Sequence, residues 1–537
     1  MNRKKKKTPP ALFALLTISL VLGFGCKPAE NNTSDNFSST SKTTPVALTG
    51  SLTASLGAQP SVQEPVVVDG DLNSVDWNSL VGRKINVSGD LVIVDTFDLV
   101  RRGQVRVARN RLYVPTAQVD PNDADPEATS FEGGSNVAKV VAAQKQNEKA
   151  TIIIDDGSAE QNIFPPKLFP NLGTTDPTVR IGSVINGVTG KLVKAGSVLL
   201  LVADQPLRWT PAQRPQRPDI GKPNVTVSSF NVLNYFTTID DGGNNARGAD
   251  SDSEFKRQEA KLVSAIIALQ ADVIGLMEIE NNLKAENQLI AALNKKLGKD
   301  AFKGCGLPPG FSSAPGGGDS IRVAMIYRSD RVTPVGNVSM ITDNAFHRAR
   351  TPIVQMFKSK FAGEPFSVIV NHFKSKGGAS RADEANKNKG DGQGAYNATR
   401  RSQSLAICNY IAQQTQANPK ARILVIGDLN AYGQEDPIDA LRAKGLVDLR
   451  EKIENASPSG NDQADYSFNY RGQSGNLDHA MATDSMAADV TGISTWHINS
   501  DEPRFLDYNQ EHNPEALYEV DPFRSSDHDP VLIGIQN

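Results

Sequence analysis

From Val225 to the end of the chain, short apolar runs such as VTVSSF, ADVIGLM, FSVIV and ILVIG alternate with stretches of helical periodicity, FKRQEAKLVSAIIALQ and ENQLIAALNKKLG among them. This alternation constrains the chain more than any other feature. A strand run without a polar face and a helix with one apolar stripe each need a partner to cover them, and the stable solution is an α/β architecture. Residues 224–537 are therefore expected to form one α/β domain.

The preceding stretch reads differently. KINVSGDLVIVD, QVRVARNRLYVPT, ATIIIDDG and VRIGSVINGVTGKLVKAGSVLLLVAD show period-two apolar spacing, β-branched residues and glycine-marked turns, with no convincing helix. Several short strands of this kind predict a small all-β unit over residues 65–205, a closed or partly closed barrel. The tract QPLRWTPAQRPQRPDIGKP then carries five prolines and marks a linker over residues 206–223.

Composition narrows the function classes. With 537 residues the chain has room for more than one domain. A formal net charge of −3 excludes a global polybasic surface, so an anionic polymer would have to be met by a local patch or a metal ion. Only three cysteines occur, which excludes a disulfide framework. Whether Cys305 and Cys408 pair in an oxidising compartment or stay as buried thiols is left open by their spacing.

Residues 1–26 read as an export signal: Arg3 and Lys4 to Lys7, then the apolar run from Ala11 to Leu22, too short to span a bilayer. The run ends in Gly23-Phe24-Gly25-Cys26, which resembles a bacterial lipoprotein cleavage site with Cys26 as the lipidated residue. Residues 27–64 are rich in Ser, Thr, Asn and Pro without an apolar face, as expected of a tether. The protein is thus expected outside the cytoplasm, secreted or held at the outer membrane through a lipid on Cys26.

Chemistry-bearing residues sit where the apolar runs of the α/β region stop. VTVSSF is followed by Asn231, ADVIGLM by Glu278, FSVIV by Asn371-His372, and ILVIG by Asp428-Leu429-Asn430. Leu477-Asp478-His479 begins a short apolar stretch, and Ser526-Asp527-His528-Asp529-Pro530 precedes VLIGI. Singly, each has an ordinary reading as a turn, a cap or a structural histidine. If the runs share a sheet, however, their ends converge on one edge, where open α/β folds build sites. Carboxylates, amides and histidines with no Ser or Cys nucleophile among them suit hard-metal chemistry on a phosphate ester.

In order along the chain, SFNVLNYF, DVIGLMEIEN, DSIRVAMIYR, VNHFKSKG, GDLNAY, GNLDHAM and SDHDPVLIGI resemble the endonuclease/exonuclease/phosphatase superfamily. RGADSDSEFKRQEAKLVSAI, NATRRSQSLA, NAYGQEDPI and TWHINSDEPRFLDYN resemble its bacterial extracellular nuclease branch, in which an OB-like domain precedes the catalytic one. The resemblance implies a DNase I-like α/β sandwich after an OB-like barrel. It also implies an exported nuclease acting on DNA, with RNA as a second candidate, dependent on Mg²⁺ or alternatively Ca²⁺ or Mn²⁺. Glu278, Asp527 and Asn231 would serve the metal, while Asp428 and Asn430 would orient phosphate and water. His528 would exchange a proton with Asp478 holding its tautomer, and His372 would be a second donor on the phosphate, with Asp319 as its carboxylate partner.

Between Asn371 and Arg401, seven basic residues stand against three acidic ones among interspersed glycines. Lys374, Lys376, Arg400 and Arg401 are accordingly expected to grip the phosphate backbone from a flexible loop. The barrel strands show few aromatics beyond Tyr113, so nucleic-acid binding and a structural role are equally open for that unit. The rival readings are the same fold acting on a phospholipid head group or phosphomonoester, and a non-catalytic surface binding protein. No protein partner is evident.

Overall fold

The computed structural model describes residues 64–122, 134–456 and 465–536, so the expected export signal with Cys26 and the tether to residue 63 lie outside the described residues. In the C-terminal region two six-stranded sheets face each other. The first runs, edge to edge, Phe302–Gly304, Ile321–Arg328, Val273–Glu280, Val225–Tyr235, Val531–Ile535 and Val490–Thr495. The second runs Val332–Met340, Ile353–Ser359, Phe366–His372, Ile423–Asp428, Asp478–Ala482 and Val447–Asp448.

Strand alternation explains the layers. Val225, Val227, Val273, Val323 and Met325 of the first sheet meet Val368, Val370, Leu424, Ile426 and Ala480 of the second in one buried core. The sheets approach so closely that a Cβ on Gly275 would lie 2.8 Å from Val370 and 2.9 Å from Ile426. Outer faces are covered by helices. Asp252–Leu269 and Leu283–Leu297 lie on the first sheet through Leu262, Ile266, Leu289 and Leu293. Asn397–Ala417 and Asp436–Ala443 cover the second through Ile407, Ile411, Ile438 and Leu441. Ser251 and Asn282 cap the first pair by accepting from the backbone N–H groups of Glu254 and Ala285. The expected α/β class is thus a four-layer sandwich of the DNase I-like type.

The N-terminal region closes a five-stranded barrel. Lys84–Asp95, Gln104–Ala108, Ile152–Asp155, Val198–Ala203 and Val184–Ala195 pair in that order, and the last returns to the first. Ile85, Val87, Leu91, Ile154, Leu192 and Leu201 fill its interior.

Three features depart from the sequence reading. A helix, Val137–Lys149, stands where none was expected; its apolar face is weak, and Val140 is the residue it buries. Trp209–Thr210, inside the expected linker, pairs with Val184 and Ile185 and so extends the barrel sheet. The two regions also interlock. Leu112–Tyr113 leaves the barrel and runs parallel to Gln473 and Ser474 of the hairpin formed by Phe468–Tyr470 and Gln473–Gly475, while Phe505, Leu506 and Leu517 pack into the barrel core. Periodicity assigns a strand its faces but not the sheet it joins. Cys305 borders the inter-sheet core and Cys408 lies under the second sheet's helices; both are free thiols.

Candidate active site

Register brings the strand-end residues to one end of the sandwich. Across the second sheet His372 pairs with Asp428 and Asp428 with Asp478. In the first sheet Asn231 pairs with Met277, the residue before Glu278, and Val531 pairs with Ser229, so the 526–530 loop arrives at the same level. Two backbone features serve this end. Glu278 sits at a bulge with φ of +63°, a left-handed conformation costly for a residue with a Cβ, which re-aims its carboxylate. Gly427 has φ of +139°, and a Cβ there would lie 2.0 Å from the Asn371 carbonyl oxygen, so the residue before Asp428 has to be glycine.

His528 is the best-held member of the group. Its Nδ1 lies 2.8 Å from Asp478 Oδ2, which also accepts from Ser467 Oγ at 2.6 Å. Nε2 points towards Asp428 Oδ2 at 4.0 Å, and the Phe468 ring packs on the imidazole at 4.7 Å between centroids. Burial disfavours the imidazolium, but Asp478, Asp428 and Asp527 outweigh it, and the His528 pKa is raised well above its ordinary value. Asp428 is buried; desolvation pushes its carboxyl up to about 7 although His528 works the other way. Its Oδ1 accepts from the Asn430 backbone N–H at 2.8 Å, and the Asn430 amide donates to the Phe373 carbonyl at 3.3 Å.

The opposite flank is cationic. His372, fully buried, has Nε2 3.4 Å from Asp428 Oδ2 and 3.8 Å from Glu278 Oε1, in close contact with the guanidinium of Arg350. Burial first, and Arg350 second, hold its pKa well below the usual histidine range. Burial and the neighbouring Asp527 carboxylate raise the Glu278 pKa. Glu278 and Asp527 thus offer two neighbouring hard oxygen donors, the chemistry that a divalent metal takes. Asn231 lies among the carboxylates, hydrogen-bonded to Glu278 as well as to its own loop. Its Oδ1 accepts from the Leu233 N–H at 3.1 Å, and its amide nitrogen donates to Asp428 at 3.4 Å. It therefore orients carboxylates. A further acidic group, Asp250, Glu254 and Glu511, brings three ligand oxygens within 4.8 Å of one another.

Asn499 fixes the terminal loop: it donates to the His528 carbonyl at 2.7 Å and accepts from the N–H groups of Ser525 and Ser526. Asp529 is turned away from the site, accepting from the N–H groups of Asn499 and Ser500 and lying 3.0 Å from His497 Nδ1. His497 in turn stacks on Tyr466, with ring centroids 3.9 Å apart. His479 is structural; its Nε2 meets the Ala431 carbonyl at 2.8 Å.

The expected phosphate grip needs correction. Lys376 is buried with Nζ on the carboxylate of Glu435, which also accepts from Thr116 of the barrel region at 2.8 Å. Arg400 is fully buried and donates to the Ala395 and Gln393 carbonyls at 2.8 Å. Both therefore brace the segment after His372 and are not available to a substrate. That segment is not free-standing either: a Cβ on Gly392 would strike Val140 and Thr116 of the barrel region. Lys374 is half-buried over the Tyr396 ring at 4.2 Å, its pKa lowered to about 8 by burial and Arg350; Arg401 is half-buried. Asp319 faces Arg247 at 3.6 Å rather than His372. Sequence reasoning missed Arg350, Ser467 and Asn499. The first lies in FHRARTP, where nothing distinguishes it from Arg348, which is exposed and pairs with Asp383 at 3.2 Å.

The model of the Endonuclease/Exonuclease/phosphatase family matches residues 228–528, a span that contains Asn231, Glu278, His372, Asp428, Asp478 and His528. Among solved structures, an endonuclease/exonuclease/phosphatase family protein from Bacteroides thetaiotaomicron is 17% identical, covering 57% of this chain and 96% of its own, with a TM-score of 0.36. A mannosyl-6-phosphatase from the same organism is 16% identical over 58% of this chain and 99% of its own, at 0.36. The catalytic domain of human nocturnin with bound sulfate is 16% identical over 58% and 95%, at 0.35. No curated protein matches the chain.

Proposed function

The chain belongs to the endonuclease/exonuclease/phosphatase family, and from that premise we propose that it is an exported, divalent-metal-dependent nuclease that hydrolyses the phosphodiester bonds of DNA, with RNA as a second substrate. The observation that carries this reading is the convergence on Asp428 of residues from both sheets, with His528 held against Asp478 at 2.8 Å.

A phosphodiester is an anion that repels an attacking hydroxide, so neutralising its charge matters more than supplying a strong nucleophile. Glu278 and Asp527 would hold the cation, which when bound supplies Lewis-acid stabilisation of the phosphoryl oxygens. Asp428, kept in place by the Asn430 N–H and the Asn231 amide, orients the water. Asp478 accepts at Nδ1 of His528 and so leaves Nε2 to exchange a proton on the Asp428 side. Arg350 presents positive charge from the other flank, beside the neutral imidazole of His372. The charged leader at residues 3–7 and the apolar run that follows support export, and Cys26 is the candidate lipid anchor.

Purified protein should degrade plasmid DNA, lose that activity in EDTA and regain it with Mg²⁺, and His528→Ala should cleave about 10²- to 10⁴-fold more slowly. DNA left untouched with Mg²⁺, Ca²⁺ and Mn²⁺ alike, alongside turnover of sphingomyelin or a phosphomonoester, would replace this reading with that of a phosphoesterase of the same fold.

A further inference from the structure

The hairpin that presents Phe468 to His528 continues away from the site. Phe468 and Tyr470 are two residues apart on one strand and share a face. At the hairpin tip the exposed Arg471 guanidinium lies 5.3 Å over the Tyr470 ring. The tip rests on the barrel, since a Cβ on Gly472 would be 3.6 Å from both Asp95 Cβ and Arg106 Cδ. Two residues beyond Asp95, Phe97 is 53% exposed, and Arg504 sits 5.6 Å over its ring. Aromatic and arginine surfaces thus run from His528 across the junction of the two regions onto the barrel.

Along this stripe the guanidinium groups are more exposed than the carboxylates, and Asp98 beside Phe97 is paired with Arg102 at 3.5 Å. Arg106 pairs with Asp95 at 3.5 Å, but the arginine side chain is 37% exposed and the aspartate 14%. Arg504 and Asp507, 4.0 Å apart, are 51% and 5% exposed. Asp95 and Asp507 are sunk beneath the surface while the guanidinium groups face solvent, so a ligand meets positive charge although the chain as a whole is at −3.

We propose that this stripe binds a single-stranded nucleic acid and leads it to His528, an inference that rests on the nuclease reading. Aromatic faces at intervals accept unpaired bases, and arginines between them take the phosphates; a duplex keeps its bases stacked internally and gains only the second term. The stripe is built jointly. The barrel supplies Phe97 and Arg106, and the sandwich supplies Phe468, Tyr470, Arg471 and Arg504. This is why barrel strands with few aromatics gave no sign of it.

Binding is measured without cleavage, by fluorescence anisotropy of a labelled oligothymidylate of about twenty nucleotides in EDTA. Phe97→Ala/Tyr470→Ala and Arg471→Glu/Arg504→Glu should each weaken it by about tenfold or more, and the charge variant should also flatten its salt dependence. A duplex of equal length should lose much less with the aromatic pair, and an oligouridylate arm reports whether RNA is held equally well. Wild-type affinity in both variants, equal losses for single strand and duplex in the aromatic pair, or no binding by the unaltered protein would overturn the proposal. Cleavage of the same oligonucleotide with Mg²⁺ is followed in parallel. If the protein cleaves it but the variants bind normally, the stripe falls alone. If the variants lose binding and nothing is ever cleaved, the nuclease reading falls and the stripe stands.

Discussion

Asp428 stands between two buried histidines whose surroundings push in opposite directions. On the first-sheet flank, His528 gives Nδ1 to a carboxylate that is itself fixed by Ser467, and its pKa is raised well above the ordinary value. On the second-sheet flank, His372 meets the Arg350 guanidinium at Nε2, and burial together with that cation keeps it neutral. Both imidazoles reach the same oxygen, Asp428 Oδ2, at 4.0 and 3.4 Å. The residue type is therefore no guide to the role. The charge of the group that meets the ring, the Asp478 carboxylate or the Arg350 guanidinium, decides which histidine carries a proton and which stays neutral beside the carboxylates.

That contrast can be broken or sharpened by substitution. His528→Ala should lower kcat on plasmid DNA by about 10²- to 10⁴-fold with the fold retained by circular dichroism, and Glu278→Gln should match it. His372→Ala should cost less; a larger loss at His372 than at His528 would reverse the comparison. Outside both flanks, Lys376→Met removes the ion-pair partner that lies on the buried Glu435 carboxylate and should reduce stability by about 3 kcal/mol in denaturant unfolding. The salt dependence of cleavage should not change, whereas a phosphate-gripping lysine would alter it. Asp478→Asn keeps the shape of the His528 flank but removes its negative charge, for an expected loss of about 10²-fold in kcat with little change in KM. Arg350→Met removes the cation from the other flank and should cost about tenfold, and a greater penalty than Asp478→Asn would make the cationic flank dominant.

How much of this was legible beforehand follows from the kind of signal each residue leaves. Asn231, Glu278, His372, Asp428, Asp478 and His528 each adjoin an apolar run, and their gathering is expected if the runs share a sheet; the structure instead divides the runs between two facing sheets whose ends meet. Lys376 and Arg400 misled because a basic, glycine-rich stretch looks solvated in one dimension, while Glu435 and two backbone carbonyls bury those charges in three. Arg350 and Ser467 stand in strings with no periodicity of their own.

The amino-acid order alone determined the α/β class of the larger region, the strand-rich character of the smaller one, and the set of acids and histidines at the strand ends, because period and run length are local properties of a chain. Tertiary structure alone decided which ring nitrogen meets which partner, that the Asn231 amide meets Asp428, and that Leu112–Tyr113 crosses to the hairpin beside His528. Those outcomes depend on how separate segments of the chain meet in space, and burial, not sequence spacing, sets the strength of the charges that meet there.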